Sequence, residues 1–70
     1  MYFFRLRELR KKHKKTQADI AEYLVCQKEV YRRYETGVRT IPVDFLIALS
    51  SYYEVSIDYI VGITDQRNQY

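Results

Sequence analysis

Between residues 16 and 37 the chain reads TQADIAEYLVCQKEVYRRYETG, and this stretch constrains the fold more than any other. Thr16 followed three residues later by Asp19 is the spacing of a capping box, which opens a helix by satisfying two of its free N–H groups. Ile20, Ala21 and Leu24 then recur at helical spacing, so they share an inner face, and Ala21 is small enough to let a second helix approach closely. Only Val25 and Cys26 separate this helix from the next, at residues 27–36. On that second helix Lys28, Glu29, Arg32 and Arg33 share one face, and Val30, Tyr31 and Tyr34 share another. Gly37 supplies the left-handed residue that stops it.

Such a pair of short helices packs one face on a core and presents the other, with its long hydrogen-bonding side chains, to a groove. A helix-turn-helix reads DNA in this way. The remaining sequence completes an all-α domain. A first helix is expected over residues 3–13, from the spacing of Phe3, Leu6, Leu9 and Arg10. The cations Lys11, Lys12, Lys14 and Lys15 suit its C-terminal end. Pro42 marks the next start, near the first helical position. A fourth helix follows over residues 43–53, with Phe45, Leu46, Leu49, Tyr52 and Tyr53 turned inward. Ser56 caps a short fifth helix at residues 57–61, and Gly62 ends it. Residues 64–70 are polar and expected to fray. The domain division is therefore 1–64 for the folded unit and 65–70 for a polar tail.

Charge is distributed unevenly. Residues 1–40 carry eleven Lys and Arg against five acids; residues 41–70 carry one Arg against four acids. A basic half turned to a polyanion, with an acidic half turned away, suits nucleic-acid binding. Seventy residues make a small core, worth roughly 3–5 kcal/mol of net stability, which dimerisation would raise. One cysteine forms no internal disulfide and fits a reducing compartment. No apolar run approaches a membrane span, and the aromatic triplet after Met1 precedes the basic residues, the reverse of a signal peptide. A bacterial or phage cytoplasmic protein is the expectation. One His and one Cys do not make a zinc site. Without a Gly-rich phosphate loop or a nucleophile beside a base, no enzyme is expected, nor any cofactor or small-molecule ligand. His13 reads as a surface residue near a helix end, and Cys26 as a small buried hydrophobe. Tyr31 and Tyr34 read as core residues with wet hydroxyls.

The order of L-R-E-L-R in the first helix, T-Q-x-x-I-A-E-x-L in the second, Y-x-R-Y-E-x-G in the third, and I-P-x-x-x-L-x-x-L with V-S-I-D-Y-I-V-G at the end resembles the Cro/phage-repressor (Xre-like) helix-turn-helix family. The resemblance covers residues 6–62 and implies a compact five-helix DNA-binding domain with its helix-turn-helix at about residues 16–36. Such a domain usually acts as a dimeric regulator on a near-palindromic operator. Three positions depart from the pattern. Val25 stands at a turn position where the family favours Gly, so the turn is either strained or takes another geometry. Lys15 replaces an apolar residue, and Gln27 replaces a Ser or Thr cap, which should leave that cap weaker.

The resemblance also implies roles for individual residues. Gln17 is expected to bind a backbone phosphate, as are Arg39 and Thr40 in the loop after the third helix; such contacts set register rather than sequence. Base reading is assigned to Lys28, Glu29 and Arg33, with Gln27 and Arg32 able to touch either a base or a phosphate. Arg33 can bond guanine O6 and N7 with two donors, and Glu29 can accept from a cytosine amino group. Glu29 has a second reading, an intrahelical pair with Arg32 or Arg33. Arg10 and Glu35 are expected to form a structural pair that fixes the third helix. Tyr59, Ile60, Val61 and Ile63 are the dimer candidates, although Ile60 and Val61 equally suit a monomer core. The competing function is an antitoxin or protein-binding module of the same fold, against which the few residues after the fifth helix and the polar recognition face both argue.

Overall fold

A computed structural model describes residues 2–66 of the chain, so residues 67–70 of the expected tail lie outside the described residues. Five helices follow one another: α1 (Phe4–Lys12), α2 (Gln17–Leu24), α3 (Lys28–Thr36), α4 (Val43–Tyr53) and α5 (Ile57–Val61). Among the described residues no strand forms, and no helix is long and apolar enough to cross a membrane. The expected helix order and type hold, with α1 one residue shorter at each end and α3 starting one residue later than expected. Pro42 is one residue earlier than expected, in the N-cap position of α4 with ψ 151.

Each helix packs its apolar stripe against the same core. Leu6 and Leu9 come from α1, Ile20, Ala21 and Leu24 from α2, Tyr31 from α3, Leu46, Leu49 and Tyr53 from α4, and Tyr59 and Ile60 from α5, with Ile41 and Val55 from the connections. Burying a Leu, Ile or Phe-sized side chain is worth about 1.5–3 kcal/mol, and this set is what repays the ordering of so short a chain. Cys26 packs at the edge of the core and is half-buried rather than buried. Desolvation there pushes its thiol pKa up, away from a reactive thiolate.

Helix starts follow the side chains expected to cap them. Thr16 Oγ1 accepts from the Asp19 N–H at 3.1 Å, and the Thr16 N–H donates to Asp19 Oδ2 at 2.9 Å, closing the capping box. These bonds from Thr16 lower the Asp19 pKa. The Ser56 hydroxyl accepts from the Tyr59 N–H at 3.0 Å. Gln27 makes no side-chain capping bond.

Helix ends are more uniform than the sequence suggests. All five are followed by a left-handed residue: Lys14 (φ 57), Val25 (φ 56), Gly37 (φ 85), Glu54 (φ 56) and Gly62 (φ 88). After α1, α2, α4 and α5 the next N–H reaches back five residues to a helix carbonyl: Lys15 to Arg10 at 3.0 Å, Cys26 to Ala21 at 2.9 Å, Val55 to Ser50 at 3.0 Å and Ile63 to Asp58 at 2.9 Å. That is the Schellman closure, which satisfies carbonyls the helix leaves free. Three of the five left-handed positions carry a side chain, each at a cost of roughly 1–2 kcal/mol.

Arg5, from the basic half, ties the two chain ends together. Its side chain is 11 % exposed. One guanidinium nitrogen donates to the Tyr59 carbonyl at 2.8 Å and to the Thr64 carbonyl, and the other to Asp65 Oδ1 at 2.6 Å. The guanidinium also lies 4.1 Å from the centroid of the Tyr59 ring, within cation–π range. This clamp closes the end of α5 onto α1.

Candidate nucleic-acid interface

The outer face of α3 is set by what locks its inner face. Tyr31 is fully buried, and the Tyr34 ring meets Phe45 edge-on at 5.7 Å. Near the C-terminal end, Glu35 is only 2 % exposed yet charged. Arg10 answers it with two parallel bonds, from Nε to Oε2 at 2.9 Å and from a terminal nitrogen to Oε1 at 2.9 Å. The second terminal nitrogen of Arg10 donates to the Lys15 carbonyl at 2.8 Å. Burial alone would raise the Glu35 pKa, but the Arg10 hydrogen bonds, with the adjacent Tyr31 hydroxyl and Gln17 amide, more than offset it, and the net shift is downward. A bidentate, nearly dry pair of this kind fixes orientation as well as charge.

The hydroxyl of Tyr31 contradicts the expectation of a wet tip. It is buried close to Glu35 without a hydrogen bond of normal geometry. Desolvation, and then the carboxylate charge, push its pKa far up, so it stays protonated. Tyr53 has the same fate, with a buried hydroxyl and a raised pKa.

With that side fixed, Gln27, Lys28, Glu29, Arg32 and Arg33 are all exposed together on the opposite side. They are not equivalent. Arg32 Nε donates to Glu29 Oε1 at 2.7 Å, and the two form an ion pair one turn apart. This pair lowers the Glu29 pKa. Of the two readings of Glu29, the geometry therefore matches the intrahelical pair, and its partner is Arg32 rather than Arg33. Lys28 and Arg33 have no ion-pair partner among the described residues, which leaves their donors available. Arg39 and Thr40 are exposed in the loop that follows, and the Arg39 N–H donates to the Arg33 carbonyl at 3.1 Å, which ties that loop back to α3.

Gln17 opens α2 and is half-buried. Its amide donates to Glu35 Oε1 at 3.4 Å, a long and loosely held bond. It lines a cleft of about 340 Å³ with Tyr2, Arg7, Arg10, Glu35 and Thr36. The sequence reading missed Tyr2 and Arg7. Its one usable signal was Gly37, where an added Cβ would come within 2.8 Å of the Tyr2 Cβ and 2.9 Å of its Cα. Glycine is thus required there both for its positive φ and for the passage of the N-terminal segment.

The dimer candidates divide. Tyr59 and Ile60 are 5 % and 1 % exposed and belong to the core, a correction to their expected place on a dimer surface. The reason is the short α5, whose inner face faces α1 and α4 and whose end Arg5 covers. Val61 is half-buried, and Ile63 is 76 % exposed.

The helix-turn-helix family model matches residues 6–60. A similar protein is the "Uncharacterized HTH-type transcriptional regulator YobD" of Bacillus subtilis (strain 168), 46 % identical over 65 residues, covering 93 % of this chain and 58 % of that protein. This chain thus spans little more than half the length of that relative. No solved structure matches. With a match across nearly the whole chain and five helices in the expected order, the chain belongs to the Xre-like helix-turn-helix family of DNA-binding regulators.

Proposed function

We propose that this protein binds double-stranded DNA sequence-specifically and regulates transcription, as a repressor that occludes a promoter when dimeric on a near-palindromic operator. The observation that carries the reading is the asymmetry of α3: Lys28 and Arg33 stand exposed and without ion pairs among the described residues, while Glu35 on the same helix is buried against Arg10. In this reading α3 enters the major groove. Arg33 reads guanine through its two-pronged donor set, and Lys28 bonds guanine or a phosphate. Glu29, held by Arg32, keeps one carboxylate oxygen for a cytosine amino group and repels misplaced phosphates. Gln27 touches whichever base or phosphate the helix start meets. Gln17, Arg39 and Thr40 take backbone phosphates and set register. No cofactor takes part, and the site of action is the bacterial or phage cytoplasm. Dimer contacts involve Ile63 and the edge of Val61, and half-sites lie about 10 bp apart.

Selection of bound sites from random duplex DNA, with binding repeated at two salt concentrations, tests this. A short palindromic motif bound more weakly at high salt is the expected result. Without an enriched motif the reading falls, and an antitoxin or protein-binding module takes its place. Val43 and Ile47, exposed one turn apart on α4, are the apolar side chains that favour that second reading.

A further inference from the structure

We propose that Arg7, in the cleft it lines with Tyr2, Arg10, Gln17, Glu35 and Thr36, is a further contact, and the principal charged one, to the DNA backbone phosphate assigned to Gln17. The inference rests on the DNA-binding reading and adds a contact from α1 to those assigned to α2, α3 and the following loop.

Three observations carry it. First, the charges in the cleft are unequally used. Arg10 is bound to Glu35 and to the Lys15 carbonyl, so those two side chains neutralise each other. Arg5 on the same helix is bound to Tyr59, Thr64 and Asp65. Arg7 is exposed and makes no hydrogen bond or ion pair among the described residues. The cleft therefore carries one uncompensated positive charge, on a planar guanidinium whose paired donors match two phosphate oxygens.

Second, the part of the lining formed by Gln17 and Glu35 is adjustable. The 3.4 Å bond from Gln17 to Glu35 is weak enough to give way, freeing the amide N–H to turn to an anion. Third, the position of Tyr2 is fixed by its backbone rather than by its side chain. Gly37 lets the Tyr2 Cα and Cβ lie against the end of α3, which keeps that residue in the lining of the cleft. At about 340 Å³ the space admits a phosphate with a few waters, each water having a share of about 30 Å³.

The test titrates a selected duplex and an unrelated duplex at several salt concentrations against the wild type, Arg7→Ala and Arg7→Lys. A second series uses duplexes in which single phosphates are replaced by uncharged methylphosphonates. Arg7→Ala should weaken both duplexes by the same factor, on the order of three- to tenfold, and reduce the slope of log K against log salt by about one. Arg7→Lys should keep the slope and recover part of the affinity. One methylphosphonate position should weaken the wild type and leave Arg7→Ala unchanged. Because Arg7 is exposed and unpartnered, the melting temperature of both variants should match the wild type. Wild-type affinity and slope in Arg7→Ala, with an unchanged methylphosphonate pattern, would overturn the Arg7 contact while leaving DNA binding intact. A wild type that binds neither duplex at low salt would overturn the DNA reading and the contact with it.

Discussion

At its C-terminal end α3 is tied to the rest of the molecule by the Arg10–Glu35 pair, by the Arg39 N–H bond to Arg33, and by the passage of Tyr2 over Gly37. At its N-terminal end the means are fewer. Gln27 offers no capping side chain, and Val25 is 91 % exposed with a left-handed backbone that suits glycine better. The Cys26 N–H bond to the Ala21 carbonyl holds the turn by closing α2, not by gripping α3. Of the residues proposed to read bases, Gln27, Lys28 and Glu29 lie at the loosely held end, and Arg33 lies in the last turn, beside the firm one. A helix fixed at one end and adjustable at the other can keep its orientation while its first turn adapts to the groove.

The largest effect should come from breaking the firm end. Arg10→Ala leaves the Glu35 carboxylate buried and unpaired, which costs about 3–5 kcal/mol. That is comparable with the whole expected stability of so small a domain, so the variant should be largely unfolded by circular dichroism. The same pair gives a pH signature. A carboxyl whose folded pKa is lowered stabilises the fold above its unfolded value, about 4.3, and that contribution is lost as pH falls through the folded value. Urea midpoints should therefore fall between pH 5 and the acid range in the wild type, and less steeply in Glu35→Gln.

Gly37→Ala comes next. The left-handed backbone alone costs about 1–2 kcal/mol for a side chain, and the Cβ must also push away the backbone of Tyr2. A total near 2 kcal/mol, read by denaturant unfolding, is expected. The loose end should respond in the opposite direction. Val25→Gly relieves strain without removing a packed side chain, and should stabilise by about 1 kcal/mol or less once the added freedom of the unfolded chain is set against it. Gln27→Ser, which adds a capping oxygen, should stabilise by about 0.5–1 kcal/mol. Equal losses from Gly37→Ala and gains from Val25→Gly would leave the firm-end, loose-end distinction intact; a loss on Val25→Gly would break it.

Helix positions were legible because side chains punctuate them: Thr16 and Ser56 at two starts, Gly37 and Gly62 at two ends. The left-handed stops at Lys14 and Glu54 were not legible. They are made by backbone bonds that leave no side-chain signature, and both sit in runs that look like ordinary solvated helix ends. The clamp made by Arg5 had no signal in the sequence, because its partners are mainly carbonyls 54 and 59 residues away. The dimer candidates failed at Tyr59 and Ile60 for a related reason. In a five-residue helix the same apolar residues suit a core or an interface, and only packing decides between them. The outer face of α3 was readable from spacing alone, whereas the bond from Arg32 to Glu29 that separates Arg32 from Arg33 depends on rotamers.

The most direct test of the account is a pair of site selections from random duplex DNA, one with the wild type and one with Arg33→Ala. The account predicts a palindromic motif for the wild type, and for Arg33→Ala the same motif with one position per half-site made degenerate and specific binding weakened by about 1–3 kcal/mol. An Arg33→Ala motif identical to that of the wild type would contradict the assignment of α3 as the base-reading helix through Arg33, and no motif with either protein would contradict sequence-specific DNA binding itself.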